Sequence, residues 1–212
     1  MSEVSDPIFA RIARRYDLLN SILSFGQDQR WRRRAIAHLP PGWVLDLGSG
    51  TGAAEPVLAP RTTVAVDPVA EMLRLSPIEH RVVAVGEQLP FADESFDGVF
   101  SAFVFRNLTS IPDTLAEIHR VLVPGGVAAI VDLSRPTNPI LALLHRLTTA
   151  IVLPIAGLLV ARAPAEYWYL HRSLDSLPPP ETLFADTPLN LEHVWRMGPL
   201  GFVYAATLRK SR

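Results

Sequence analysis

Short hydrophobic runs alternate with helical patterns through the middle of the chain. The runs are rich in β-branched and aromatic residues. They predict strands at residues 43–47, 63–66, 81–85, 98–104 and 127–133. Between them, apolar residues at helical spacing predict helices near residues 53–59, 70–75 and 113–121. Strands that alternate with helices form a parallel sheet with helices on both faces, so we expect an α/β fold.

The two ends of the chain carry different patterns. Apolar residues at helical spacing between Ile8 and Leu19 predict an N-terminal helix, and residues 28–39 predict a second one. After Pro136 the pattern predicts helical segments near residues 140–150, 151–161 and 165–175, then strands at residues 192–197 and 202–208. We therefore expect a single domain over residues 1–212. Its parts are a helical cover (1–40), an α/β core (43–133), a helical insertion (136–180) and closing strands (190–208).

Composition narrows the classes of protein that fit this pattern. Of the 212 residues, 49% are hydrophobic and 19% are charged, which suits a folded domain with a sizeable core. The formal net charge is −1, so no broad basic field favours nucleic acid as a partner. Because there is no cysteine, disulfides, thiolate metal sites and a cysteine nucleophile are excluded. The histidines show no ligand spacing, and we expect no metal site.

The mean hydropathy is slightly positive, +0.21, although no segment has the pattern of a membrane span. The longest apolar run, Ile151–Ala161, contains proline and glycine and falls short of the roughly 20 residues that a spanning helix needs. The start of the chain does not resemble a signal peptide, so the expected location is the cytoplasm. The hydropathy is explained either by a well-buried core or by an apolar surface for a greasy ligand or a membrane.

A glycine-rich segment follows the first predicted strand. Gly48-Ser49-Gly50-Thr51-Gly52 lies between a strand and a helix, where backbone N–H groups point at a bound ligand. Its G-x-G-x-G spacing differs from the G-x-G-x-x-G of dinucleotide-binding loops. Asp67 ends the second strand, 21 residues after Asp46, where a carboxylate can accept hydrogen bonds from both ribose hydroxyls of an adenosine. The alternative is a plain glycine turn followed by a helix-capping aspartate.

These features together resemble the class I S-adenosylmethionine-dependent methyltransferases. Residues 89–97 are similar to that superfamily's approach to its fourth strand, and residues 115–126 to the helix and turn before its fifth. The resemblance implies a Rossmann-like, mostly parallel seven-stranded sheet with an antiparallel last strand and an N-terminal helical cover. It also implies S-adenosyl-L-methionine as the cofactor. The residues that would bind it are Asp17, Asp46, Gly48, Ser49, Gly50, Thr51, Gly52, Asp67, Pro68, Gly86 and Glu87.

The flanking segments resemble a narrower family, the menaquinone/ubiquinone biosynthesis C-methyltransferases of the UbiE/MenG type. The first matching segment is Phe9–Asn20, which runs on to Leu23–Gly26 and Arg30-Trp31-Arg32. The others are Phe105-Arg106-Asn107-Leu108, Asp132–Pro136 and Tyr167–Leu170. The resemblance implies methylation of a ring carbon of a polyprenylated quinol, with demethylmenaquinol as the leading candidate. The alternatives are a methyltransferase for another small molecule, such as a lipid amine or a polyketide, and a non-catalytic cofactor-binding subunit.

By this resemblance Arg106, Asn107 and Tyr16 are the expected catalytic residues. Arg106 would stabilise a developing phenolate or orient a water that accepts its proton, and Asn107 would hold an oxygen of the ring. Asp17 would contact the cofactor's amino group or join the active-site network. The alternatives are a solvated turn at Arg106 and Asn107 and a core position for Tyr16.

Two residues depart from the family's pattern. Val85 stands where an acid or amide usually contacts the adenine, and Val104 stands where glycine is usual and would narrow the pocket. Residues 140–161 correspond to helices that the family places over a polyprenyl tail, with ordinary core as the alternative. We expect a polyprenylated quinol as the substrate and peripheral contact with the inner face of the membrane. A homodimer and a quinone-synthesis complex both stay open.

Overall fold

Seven strands form one sheet in the computed structural model, which describes residues 24, 26–156, 174, 175 and 177–212. The strands are Trp43–Leu47 (β1), Thr62–Val66 (β2), His80–Val82 (β3), Phe96–Ala102 (β4), Leu122–Leu133 (β5), Asn190–Met197 (β6) and Val203–Arg209 (β7). Their order across the sheet is β3-β2-β1-β4-β5-β7-β6. Strands β1 to β5 pair in parallel, whereas β7 is antiparallel to both β5 and β6. The predicted fold class, a mostly parallel sheet with an antiparallel last strand, is confirmed.

Helices and short turns connect the strands. The α-helices are Asp28–Ala35 (α1), Glu55–Leu58 (α2), Ala70–Leu73 (α3), Ile111–Val121 (α4), Pro139–Ala156 (α5) and Pro180–Leu183 (α6). A 3-10 turn at Phe105–Asn107 follows β4. The sequence sets two helix starts through capping side chains. The Ser110 hydroxyl accepts a hydrogen bond from a backbone N–H of α4, and the Asn138 side chain does the same for α5.

Several elements differ from the pattern-based prediction, and three of the differences have a clear structural reason. Strand β5 begins at Leu122 rather than at residue 127, because an irregular pairing with β4 carries the strand through its Pro-Gly-Gly segment. Strand β3 ends at Val82, where its partner β2 also ends, and the chain beyond it leaves the sheet. The segments predicted at 140–150 and 151–161 are joined in the single helix α5, which continues to Ala156.

Both faces of the central strands β1, β4, β5 and β7 are buried, whereas the edge strands β3 and β6 are partly exposed. Val44 of β1 packs in one cluster with Trp31 of α1, and Leu45 packs in another with Leu115 of α4. Because successive side chains of a strand point to opposite faces, Asp46 belongs to the same face as Val44. A carboxylate therefore lies near the end of β1 on the face that α1 covers.

Some predicted elements lie outside the described residues. They are the N-terminal helix with Tyr16 and Asp17, and the parts of the insertion at residues 157–161 and 165–173. In the part of the chain that the structure does describe, no helix is both long and apolar enough to cross a membrane.

Candidate active site

A cavity opens at the carboxyl ends of β1, β2 and β4, the edge at which open α/β sheets bind ligands. It encloses about 880 Å³ including its open mouth. Its lining includes Asp46, Gly48, Ser49, Gly50, Thr51, Asp67, Pro68, Gly86, Glu87 and Asn107. The structure thus brings ten of the predicted site residues to one place. Gly52 belongs to the same loop but is not among the lining residues.

Asp67 fixes the glycine-rich loop against the end of β2. Its two carboxylate oxygens accept hydrogen bonds from Gly50 N–H and Val69 N–H, both at 2.9 Å. At the base of the loop, Gly48 N–H and Ser49 N–H both donate to the carbonyl oxygen of Val66. A carboxylate oxygen can accept more than one hydrogen bond, so this role is compatible with the predicted contact to ribose hydroxyls.

Position 48 requires glycine for two reasons, its backbone conformation and the lack of room for a side chain. Its φ angle of +69° lies in the left-handed region, and a Cβ atom there would overlap the side chain of Val104. Val104 thus covers the first glycine of the loop and occupies part of the cavity wall. This contact supports the expectation that valine at this position narrows the pocket.

Asp46 is a buried carboxylate that the protein leaves partly unsatisfied. It is 2% exposed, and its Oδ2 atom has no hydrogen-bond partner among the described residues, as is also true of the nearby Ser49 hydroxyl. Burial raises the pKa of Asp46 from about 3.8 to about 6, against the opposing effects of the Ser49 hydroxyl and, to a lesser extent, the Arg32 guanidinium. Unsatisfied buried polar atoms in a cavity wall favour a ligand that supplies their partners.

The 3-10 turn after β4 forms the opposite wall. Asn107 lines the cavity, and its Oδ1 atom is buried without a hydrogen-bond partner among the described residues. Arg106 instead forms a buried ion pair with Asp132 of β5, at 2.8 Å, and is not among the described residues that line the cavity. Asp132 also accepts a hydrogen bond from Phe105 N–H, at 2.8 Å. The Asp132 carboxylate therefore holds the turn that presents Asn107.

The segment after β3 completes the cavity. Val85 is 38% exposed and offers only apolar surface there, as the sequence led us to expect. The Glu87 carboxylate points to the start of α4, where it accepts hydrogen bonds from Thr109 N–H (2.7 Å) and Ser110 N–H (3.1 Å). This leaves the backbone of Gly86 and Glu87 as the polar part of this wall.

Arg32 of α1 also lines the cavity, although it is not among the site residues predicted from the sequence. It is 6% exposed and lies on the buried stripe that Asp28, Trp31 and Ala35 also form. A charged residue on the buried stripe of an amphipathic helix was the signal available in the sequence. No group of His, Cys, Asp and Glu within the described residues has the arrangement of a metal site.

Comparisons with known proteins agree with this geometry. The model of the ubiE/COQ5 methyltransferase family matches residues 2–187. A ubiquinone/menaquinone biosynthesis C-methyltransferase UbiE from Syntrophotalea carbinolica is 42% identical over 187 residues, covering 81% of this chain and 78% of that protein. A demethylmenaquinone methyltransferase from Thermus thermophilus is 38% identical over 193 residues, covering 84% and 88%. A solved SAM-dependent methyltransferase from Thermotoga maritima has a TM-score of 0.64 at 16% identity, covering 97% and 99%.

The buried Asp46 leads to a prediction about stability. A raised pKa means that the folded state holds this proton more tightly than the unfolded state, so stability falls as pH rises from about 4 to about 6. We expect Asp46→Asn, without ligand, to be more stable than the wild type by up to about 3 kcal/mol at about pH 8. The difference should vanish below about pH 3, where the Asp46 carboxyl is protonated in both the folded and the unfolded state.

Denaturant unfolding of both proteins across this pH range measures the effect. Asp186→Asn, which changes an exposed carboxylate, is the control and should show no such difference. If Asp46→Asn is no more stable than the wild type at the higher pH, the burial penalty assigned to Asp46 is wrong.

Proposed function

The chain belongs to the ubiE/COQ5 methyltransferase family and is an S-adenosyl-L-methionine-dependent methyltransferase, and from that premise we propose that it methylates a ring carbon of a polyprenylated quinol. Demethylmenaquinol is the leading acceptor, because the family and the relatives named for this chemistry cover most of the chain. The observation that carries the proposal is one cavity lined by both the glycine-rich loop and the Asn107 turn. A lipid-amine or polyketide acceptor, or a non-catalytic subunit, is less well supported by these relatives.

The described residues fit the cofactor. The glycine loop presents a surface that a Cβ atom would block at Gly48, and Asp67 stands at the end of β2 for the ribose hydroxyls. The unsatisfied Asp46 Oδ2 suits an ammonium group. Pro68 and the backbone of Gly86 and Glu87 line the remaining part, which we assign to the adenosine. When bound, S-adenosyl-L-methionine supplies an electrophilic methyl group on a sulfonium centre.

The acceptor needs a deprotonated hydroxyl, because a ring carbon becomes a good nucleophile only when the neighbouring quinol oxygen carries negative charge. We propose that Asn107 binds this hydroxyl, since its side chain lines the cavity. Its unsatisfied Oδ1 can accept a hydrogen bond from the O–H, and its Nδ2 amide is the donor available to the oxygen once it is ionised. Arg106 keeps its proposed part in charge stabilisation or in orienting a water. Its ion pair with Asp132 adds a second role, which is to position Asn107.

The reaction is tested with purified protein, S-adenosyl-L-methionine and demethylmenaquinol carrying a short prenyl tail. We expect the quinol to gain one methyl group by mass spectrometry, and the oxidised quinone to stay unchanged because it has no hydroxyl to ionise. Asn107→Ala should lower kcat by about 100-fold, as removal of one oxyanion-stabilising group does. Asn190→Ala, a change in the remote strand β6, should leave kcat unaltered. Transfer to the quinone as fast as to the quinol would contradict the proposed chemistry.

The Arg106–Asp132 pair is tested by a double-mutant cycle of Arg106→Gln and Asp132→Asn. If the pair acts by positioning Asn107, each change lowers kcat by about 10- to 100-fold. The kcat of the double variant should then be no lower than that of the less active single variant. Cofactor affinity should stay near the wild-type value, because neither side chain lines the cavity among the described residues. If Arg106 acts directly on the acceptor, the losses multiply. Thermal unfolding of each variant controls for loss of the fold, since breaking a buried ion pair is destabilising.

Helix α5 supplies the observation for a membrane-facing surface. Its exposed apolar residues are Ile140, Leu141, Leu143, Leu144, Leu147, Ile151 and Val152. The opposite side is anchored by His145, which is buried and stacks on Phe202. Phe202 also contacts Trp31 of α1, so the two helices are neighbours. We propose that α5 and the exposed Arg33 and Arg34 of α1 bind an anionic lipid surface, which supports the expected location at the inner face of the membrane.

Vesicle sedimentation tests this surface. The protein should bind vesicles containing phosphatidylglycerol more strongly than vesicles of phosphatidylcholine alone, and added salt should weaken the difference. Combined Leu143→Ser, Leu147→Ser and Ile151→Ser should abolish binding, because they remove apolar area that enters the interface. Val83→Ser is the matched control. Val83 is 59% exposed and directly follows β3, the strand at the edge of the sheet opposite to β6. Equal binding by the triple variant and the wild type would rule out α5 as the contact.

A further inference from the structure

We propose that Arg32 binds the carboxylate of the cofactor's amino-acid end, and that Asp46 faces its ammonium group across the same cavity. This inference rests on the proposed function, because it concerns the S-adenosyl-L-methionine site. The contact with the carboxylate is thereby assigned to α1, a helix outside the α/β core. The site residues predicted from the sequence for the cofactor's amino-acid end lie instead on β1, on the loop after it and in the N-terminal segment.

Arg32 is a buried cation that lacks a close charge partner among the described residues. The side chain is 7% exposed, and its Nε atom has no hydrogen-bond partner among the described residues. The nearest carboxylate is that of Asp28, whose Oδ2 lies 3.9 Å from Arg32 Nε, which is too long for a hydrogen bond. Desolvating a guanidinium without hydrogen-bonded partners is unfavourable, so its position in the cavity wall favours an anionic ligand.

The neighbours of Arg32 hold the guanidinium in place rather than neutralise it. Its central carbon lies 5.3 Å from the centre of the Phe103 ring, and Phe103 also lines the cavity. Such stacking on an aromatic face fixes the planar fork and leaves its edge for hydrogen bonding. Trp31, the preceding residue of α1, is buried against Phe202 and sets the orientation of the helix.

Asp46 provides the opposite charge on the same side of the sheet. It shares with Val44 the face of β1 that α1 covers, and both Asp46 and Arg32 line the cavity. The two side chains nevertheless form no ion pair of 4.0 Å or less in the described structure, and each keeps an unsatisfied buried atom. Two opposite charges that face one cavity without meeting suit a ligand that carries both charges.

The amino-acid end of S-adenosyl-L-methionine has that chemistry, since it carries one carboxylate and one ammonium group. The guanidinium fork matches a carboxylate in a bidentate manner, and a carboxylate with a vacant acceptor position matches an ammonium group. The rival explanation is structural: Arg32 would merely pair with Asp28 within α1. That pairing predicts no dependence of ligand affinity on the ligand's carboxylate.

The test measures dissociation constants by calorimetry for S-adenosyl-L-methionine and for its decarboxylated form, which lacks only the carboxylate. The wild type should bind the complete cofactor about 10- to 100-fold more tightly, the range expected for a buried charge-assisted hydrogen-bonded pair. Arg32→Gln should lose this preference, with affinity for the complete cofactor reduced by the same factor and affinity for the decarboxylated form unchanged. Arg30→Gln, a change of an exposed arginine on the same helix, should retain the wild-type preference.

Each other outcome overturns the inference. A wild type that binds both ligands equally has no carboxylate subsite, and an Arg32→Gln protein that keeps the preference places the subsite elsewhere. Equal weakening toward both ligands by Arg32→Gln assigns Arg32 a structural role. If this variant does not fold, Arg32→Lys takes its place, because lysine retains the charge without the planar fork. Its preference for the complete cofactor should be weaker than that of the wild type but still present. A preference equal to that of the wild type would contradict the role of the guanidinium. A wild type that binds neither ligand contradicts the proposed function itself.

Discussion

The cavity depends on one constraint: the backbone N–H groups of the loops that leave a parallel sheet have no strand partner and must find acceptors. Asp67 meets this requirement for two loops at once, because its carboxylate accepts hydrogen bonds from Gly50 N–H and from Val69 N–H. The loop after β1 is thereby tied to the segment after β2. The N–H groups and the glycine surface are held in one arrangement before any ligand binds, which lowers the ordering penalty of binding.

Two further carboxylates repeat this device along the same edge. Glu87 accepts from Thr109 N–H and Ser110 N–H and joins the segment after β3 to the start of α4. Asp132 accepts from Phe105 N–H and pairs with Arg106, which joins β5 to the turn after β4. Asp46 differs, because one of its oxygens has no hydrogen-bond partner within the described structure. The carboxylates that organise the site accept hydrogen bonds from loop N–H groups, whereas Asp46 keeps an oxygen available for a ligand.

The sequence predicts those parts of the site that lie within one short segment. The glycine loop, Asp67 and the strand pattern follow from local spacing, and the structure places them at one cavity. The Arg106–Asp132 pair joins residues 26 positions apart, and whether Arg106 turns toward the cavity or toward β5 depends on packing that spacing does not encode. Arg32 was missed for a related reason: its helix was predicted, but the ligand-facing role of one charged residue on the buried stripe depends on where Phe103 and Asp46 lie.

Leaving Asp46 and Arg32 apart has a thermodynamic consequence that links stability to binding. A direct ion pair between them would satisfy both charges and would have to be broken when a zwitterionic ligand enters, so part of the binding energy would be lost. Separation leaves the folded protein with two poorly satisfied buried charges and lowers its stability without ligand. A ligand that carries both charges then restores the missing interactions and stabilises the fold as it binds. The separation of Asp46 and Arg32 therefore lowers the stability of the ligand-free protein and, for the same reason, favours a ligand that carries the complete amino-acid end.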